Sequence, residues 1–290
     1  MNEAIERMLS EYNVQTDTEA QHALREIVQE VALYGLWDGG FFKEAAFYGG
    51  TALRIFYSLD RFSEDMDFSL LAPNENFSFE KYRKKLTSAL RDMGFSVDFE
   101  VNDSPNKNNI WSAFLKGNTL NQMMSIGIPE TITGRIHSEQ KLKVKIEVDV
   151  DPAPGFDTEF LPALNPIPHN VQVYDLRNLF TGKIHALLCR EWGNRVKGRD
   201  WYDTVWYLQK KVSVHIPYLE AKMRQSGHWE GLKPLTETDI LDRYREKAEN
   251  LDIQKALADV EDFLKDPSAV RRVWSNQFFL KLARHFKFEN

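Results

Sequence analysis

The sequence predicts an α/β (α+β) chain, with a mixed sheet flanked by helices and a C-terminal lobe built as a helical bundle. Two period-two stretches, FSVDFEV (95–101) and KLKVKIEVDVD (141–151), place apolar residues at every second position, as strands with one covered face require. Helix-length apolar periodicity dominates after residue 174. Between these regimes lie Pro152, Pro154, Pro162, Pro166 and Pro168, a composition that opposes regular structure and suits a connection. Domains are therefore expected over 1–168, carrying N-terminal helices and the sheet, and over 169–290, carrying the helical lobe.

From the N-terminus, Leu24, Ile27, Val28 and Val31 recur at helical spacing. Thr18 and Gln21 are placed for a capping box, and Gly39-Gly40 closes the helix. EAAFYGG reads as a strand entering a glycine turn, TALRIFYSL as the next helix and DMDFSLL as the next strand. SFEKYRKKLTSALRDMG reads as an amphipathic helix ended by Gly94. Further on, DLRNLFTGKIHALLCREW, RDWYDTVWYLQKK, IPYLEAKMRQ, LDIQKALADVEDFLKD and SAVRRVWSNQFFLKLARHF each read as one helix.

At 290 residues and 42% hydrophobic content the chain can fill a substantial core. Its net charge of -6 excludes a surface that binds nucleic acid or anionic membrane over its whole extent, so any such contact is local. The single cysteine, Cys189, leaves neither an internal disulfide nor a cysteine-based zinc site. The N-terminus lacks a signal-peptide pattern, and no run of about 18 apolar residues is present to cross a bilayer. A cytoplasmic protein with no membrane contact is expected.

Candidate chemistry concentrates between residues 47 and 71. On a strand, Asp65 and Asp67 share one face, and two carboxylates held so close call for a cation, with oxygen ligands suiting Mg²⁺ or Mn²⁺. Gly49 and Gly50 precede a helix whose free N–H groups can hold a phosphate, and Thr51 can add a hydroxyl. The strand at 141–151 brings Glu147, Asp149 and Asp151 onto one face. If that strand neighbours the D-x-D strand, Glu147 or Asp149 supplies a third carboxylate. Asp200 and Asp203 are helix neighbours, equally compatible with a structural and a chemical role. Arg199 can pair with an acid across the lobes.

The run Gly49-Gly50-Thr51-Ala52-Leu53 followed by Arg61-Phe62-Ser63-Glu64-Asp65-Met66-Asp67-Phe68 closely resembles the first motif of the AbiEii/AbiGii (MenT-like) nucleotidyltransferase toxins, within the DNA polymerase β-like superfamily. Glu147 in KIE, Lys183, and Arg199-Asp200 with Asp203 resemble its later motifs, although Gly182 stands where the family often has an acid. The resemblance spans roughly residues 40 to 210. It implies a nucleotidyltransferase core with NTP as substrate and Mg²⁺ or Mn²⁺ on Asp65, Asp67 and Glu147 or Asp149. It further implies nucleotide contacts from Gly49, Gly50, Thr51, Arg61, Ser63, Lys183 and Arg199, and catalytic roles for Asp65, Asp67, Lys183, Asp200 and Asp203. A toxin of a type IV toxin–antitoxin or phage-defence pair is implied, with a tRNA end as acceptor and a cognate antitoxin as partner.

Two groups of bases bear on an RNA acceptor. Arg190, Arg195, Lys197 and Arg199 lie near Trp192 and Trp201, a mixture that holds phosphates and stacks bases. Arg271, Arg272, Lys281, Arg284 and Lys287 are better explained as the solvated face of a packed helix. GNRVKGRD is not a P-loop, and neither an H-E-x-x-H nor a G-x-S-x-G pattern occurs. Two rival readings stand beside the toxin: a small-molecule (antibiotic-type) nucleotidyltransferase, favoured by net acidity, and a non-catalytic interaction protein whose acidic strands bind a basic partner.

Overall fold

The computed structural model describes residues 2–190 and 196–290, and these divide into two compact units interleaved along the chain. The first comprises residues 1–52, 63–152 and 159–173, and the second 53–62, 153–158 and 174–290.

The first unit opens with α1 (Glu3–Ser10) and α2 (Asp17–Asp38). α2 is buried along nearly its whole length, from Ala20 through Leu24, Ile27, Val28 and Val31 to Leu36. Its capping box is made by Thr16 and Glu19, not by Thr18 and Gln21: Thr16 is extended at φ -125°, and its hydroxyl accepts from the Glu19 N–H. The Glu19 carboxylate returns the contact by accepting from the Thr16 N–H at 2.9 Å. A charged acceptor two residues earlier outcompetes the neutral Gln21 amide. Gly39 caps the C-terminus, as expected.

The sheet strands of this unit are β1 (Ala45–Tyr48), β2 (Met66–Leu70), β3 (Asp98–Val101), β4 (Ile110–Asn118), β5 (Lys141–Asp149), β6 (Thr158–Ala163) and β7 (His169–Tyr174). They form one seven-stranded mixed sheet in the order β3-β4-β5-β2-β1-β7-β6. β1 and β2 are antiparallel, whereas β2 and β5 are parallel. α3 (Gly49–Tyr57) follows β1 without a loop, α4 (Glu80–Asp92) follows β2, and α5 (Thr119–Ser125) and α6 (Glu130–Thr133) lie between β4 and β5. Phe47, Phe68, Val144, Ile146 and Val148 are fully buried beneath the sheet, and Phe41 packs edge-on to Phe68 at 5.1 Å.

The proline-rich segment was expected to lack regular structure, yet it contains β6, with Pro162 inside it. β6 is an edge strand, where one side of the backbone needs no partner and a missing N–H costs little.

In the second unit, α7 (Leu176–Cys189), α8 (Gly198–Gln209), α9 (Ile216–Gln225), α10 (Glu237–Glu249), α11 (Ile253–Val260), α12 (Ser268–Val273) and α13 (Asn276–Leu282) make the expected helical lobe. It also holds a two-stranded parallel sheet of β8 (Ser213–His215) and β9 (Lys287–Glu289), which the helical periodicity conceals. The last helical stretch is broken in two. Trp274 is extended, and Ser275 caps α13 by accepting from the Phe278 N–H at 3.1 Å. α8 starts flush against α11: a Cβ at Gly198 would overlap the Ala256 carbonyl oxygen, with its carbon at 2.7 Å. Among the described residues no helix is long and apolar enough to cross a membrane.

Candidate active site

Within the first unit, the sheet register assembles the acidic candidates. β5 is the neighbour of β2, as a third carboxylate requires, and Asp67 stands directly opposite Glu147, with Ser69 opposite Asp149. Because Met66 and Ile146 are buried, Asp67, Glu147 and Asp149 share the opposite, half-buried face. β2 begins at Met66, so Asp65 precedes the ladder and the alternation argument does not extend to it. Its backbone is instead held by a side chain: the Thr51 hydroxyl donates to the Asp65 carbonyl. Thr51 is fully buried, so its hydroxyl faces this carbonyl and not a nucleotide.

The helix start is shaped around Asp67. Gly49 has φ +82°, and a Cβ there would overlap the Asp67 carboxylate, with Asp67 Cβ and Cγ both at 3.1 Å. Glycine is required twice, for the left-handed backbone and for the space. Gly50 follows on the same α3 start, where N–H groups without helical partners favour an anion. Ser63 lies just upstream. Its carbonyl accepts from the amide of Gln29 at 3.2 Å, and the Glu64 carbonyl accepts from the same nitrogen at 2.9 Å. Gln29 is 1% exposed and tethers the approach to β2 from α2. Nothing in the sequence singles it out, because α2 carries several other polar side chains, among them Gln21, Arg25, Glu26 and Glu30.

Glu147 already holds a cation. The Lys145 ammonium lies 2.7 Å from its carboxylate, and the Ser112 hydroxyl donates to it at 3.2 Å. Asp149 accepts from the Asp151 N–H at 3.0 Å, closing the strand end. The oxygen donors of Asp67 and Glu147 fit the chemistry of Mg²⁺ or Mn²⁺, and Lys145 shows that positive charge is accommodated at this spot. Among the described residues, however, no three histidine, cysteine or acidic side chains gather into a metal-holding group. In this arrangement Glu147 faces Lys145, and Asp149 accepts from the backbone at the strand end.

The later motif lies in the second unit and forms a buried charge cluster. Arg61 is 2% exposed and donates twice to Asp203, at 2.6 and 2.7 Å, and once to the Phe62 carbonyl at 2.8 Å. The Lys183 ammonium reaches Asp200 at 2.7 Å and Asp203 at 2.9 Å. Two cations and two anions thus neutralise each other and tie α7 and α8 to the segment before β2. Burial alone would pull Lys183 and Arg61 down, but Asp200 and Asp203 outweigh it and both are raised. For Asp203 burial pushes upward, and Arg61 and Lys183 outweigh it, leaving the carboxyl below its ordinary range.

This arrangement corrects two expectations. Arg61 is committed to Asp203, so its guanidinium does not face a nucleotide. Arg199 pairs with Asp259 at 3.5 Å and lies over the Phe263 ring at 4.2 Å, a contact inside the same unit and not across lobes. Of the basic stretch near residue 195, Trp192 and Arg195 lie outside the described residues.

Comparison with known proteins adds to this geometry. A family profile described as "Nucleotidyl transferase AbiEii toxin, Type IV TA system" matches residues 31–280. No curated protein gives a significant match. Two solved structures from Helicobacter pylori are similar at 16% identity: JHP933, at a TM-score of 0.46, and a protein provisionally described as a nucleotidyltransferase, at 0.45. The first alignment covers 91% of this chain and 90% of that one, and the second 90% and 91%.

Proposed function

Because the chain belongs to the AbiEii family of nucleotidyl transferase toxins from type IV toxin–antitoxin systems, we propose that it moves an NMP from an NTP to a hydroxyl at the end of a tRNA in the cytoplasm. Family membership makes it a nucleotidyltransferase that takes an NTP, with an antitoxin as partner. The observation that carries the site assignment is the register of Asp67 opposite Glu147, beside a helix start opened by Gly49.

In this reading the Gly49-Gly50 helix start receives the phosphates, with Ser63 beside them. Thr51 and Gln29 fix the backbone on which Asp65 and Asp67 are carried. A divalent cation such as Mg²⁺ or Mn²⁺, held by Asp67 and Glu147 with Asp65 or Asp149 as a further oxygen donor, would neutralise phosphate charge and acidify the acceptor hydroxyl. Glu147 would exchange its Lys145 contact for that role. The acceptor oxygen forms a bond to the α-phosphorus as the bond to pyrophosphate breaks, and its hydroxyl proton is released to solvent. Lys183, Asp200, Asp203 and Arg61 act as scaffold, since each charge is already met by an opposite one.

The test is to incubate purified protein with each labelled NTP, Mg²⁺ and total tRNA, and in parallel with candidate small-molecule hydroxyl acceptors. Label in RNA that disappears on chelation is expected. Label found only on a small molecule overturns the RNA acceptor, and no label with any NTP overturns the transfer activity itself.

A further inference from the structure

The face that carries Glu147 continues along β5 as a row of lysines, of which the chemistry above involves Lys145 alone. Lys141, Lys143 and Lys145 alternate with buried Leu142 and Val144, so all three ammonium groups stand on the side of Glu147 and Asp149. β2 pairs with β5 from Ile146 onward, leaving the lysine half beside β4 alone. On β4, Phe114 stands opposite Lys145 and Lys116 opposite Lys143. The Lys143 ammonium lies 4.1 Å from the Phe114 ring centroid and that of Lys116 5.5 Å, so one aromatic ring holds two cations in place. Lys141 and Lys143 are exposed. The acids on the same face are Asp98 and Glu100 on β3, the latter paired with Lys116, and Asp67, Glu147 and Asp149 at the far end.

We propose that this lysine row, Lys145–Lys143–Lys141 with Lys116 beside it, is the track on which the single-stranded end of the acceptor RNA lies, its terminal hydroxyl delivered to the Asp67 and Glu147 end. This rests on the RNA-acceptor reading above and assigns its binding surface. The row is straight and spans about 13 Å at the 3.3 Å rise of a strand residue. That is longer than a triphosphate, and its two-residue repeat resembles the repeat of a nucleic acid backbone. The row begins where the acceptor hydroxyl must sit, and its charge is local, which reconciles RNA contact with a chain of net charge -6.

The experiment compares wild type, K141E/K143E and the charge-retaining K141R/K143R. It measures binding to a 5′-labelled single-stranded RNA 12-mer over a salt series, together with the KM for NTP and for total tRNA. The expected result for K141E/K143E is at least a tenfold rise in RNA Kd and in the KM for tRNA. Its salt slope should be shallower by about 1.4, the loss of two phosphate contacts to a single strand. The KM for NTP stays within twofold, and K141R/K143R matches wild type. Unchanged RNA affinity and slope in K141E/K143E overturn the track even where wild type labels tRNA. An equal rise in the KM for NTP overturns it in favour of triphosphate binding. Wild type that labels only small molecules and binds no RNA removes the acceptor reading and the track together.

Discussion

The acids of the β2–β5 face and those of α8 differ in what surrounds them. Asp67 and Glu147 are half-buried on one face of the sheet, adjacent in register and backed by a glycine that gives the Asp67 carboxylate room. Asp203 is fully buried and bound by Arg61 and Lys183, and Asp200 is 8% exposed against the same lysine. The first pair keeps partial exposure to solvent, whereas the second is closed inside a matched set of charges. A buried ion network in which every member is matched stabilises an arrangement, and breaking it leaves an uncompensated charge in the interior.

The sharpest way to break this contrast is Asp203→Ala. Arg61 and Lys183 lose a shared anion, and a stability loss of about 3–5 kcal/mol is expected from urea denaturation. Transfer activity per folded molecule should fall far less. A variant as stable as wild type yet inactive would reverse the assignment of the two acid pairs.

Asp67→Asn should do the opposite. Transfer to RNA is expected to drop at least about 100-fold, or ~2.7 kcal/mol in barrier, with a melting temperature close to wild type. Retained activity in this variant would move the chemistry away from the β2–β5 face.

A smaller effect separates the two regions by pH. The folded carboxyl of Asp203 lies below its ordinary range, so its contribution is complete above the unfolded value near 3.9 and is lost as pH falls through the folded value. Lys183 is raised, so its contribution is complete below about 10.4 and is lost as pH rises through its folded value. Stability from the cluster should be level between about pH 5 and 10. Equilibrium unfolding of Asp203→Asn should show a shallower acid-side decline than wild type. An identical acid limb in both proteins would mean that another carboxylate governs it.

The parts legible in the sequence are those fixed by short-range periodicity. The alternation from Lys141 to Asp149 gives β5 and its two faces, and the glycine pair marks the start of α3. Illegible features depend on partners distant along the chain. Asp65 falls outside its strand because the ladder with β5 opens at Met66. Arg61 and Asp203 are 142 residues apart, and nothing in RFSEDMD announces that its arginine is taken. β6 hides among prolines because only an edge position tolerates Pro162. Lys141, Lys143 and Lys145 were visible as the polar half of an alternation, but their alignment with Glu147 acquires meaning only once β2 is placed beside it.

The contact between Gly198 and the Ala256 carbonyl offers a handle for genetics. Even a methyl group there wedges α8 away from α11, at a position contributing no side chain to the transfer site. Gly198→Ala is thus a starting point for a heat-sensitive allele, letting cells carry a harmful gene silently when warm and release its effect on cooling.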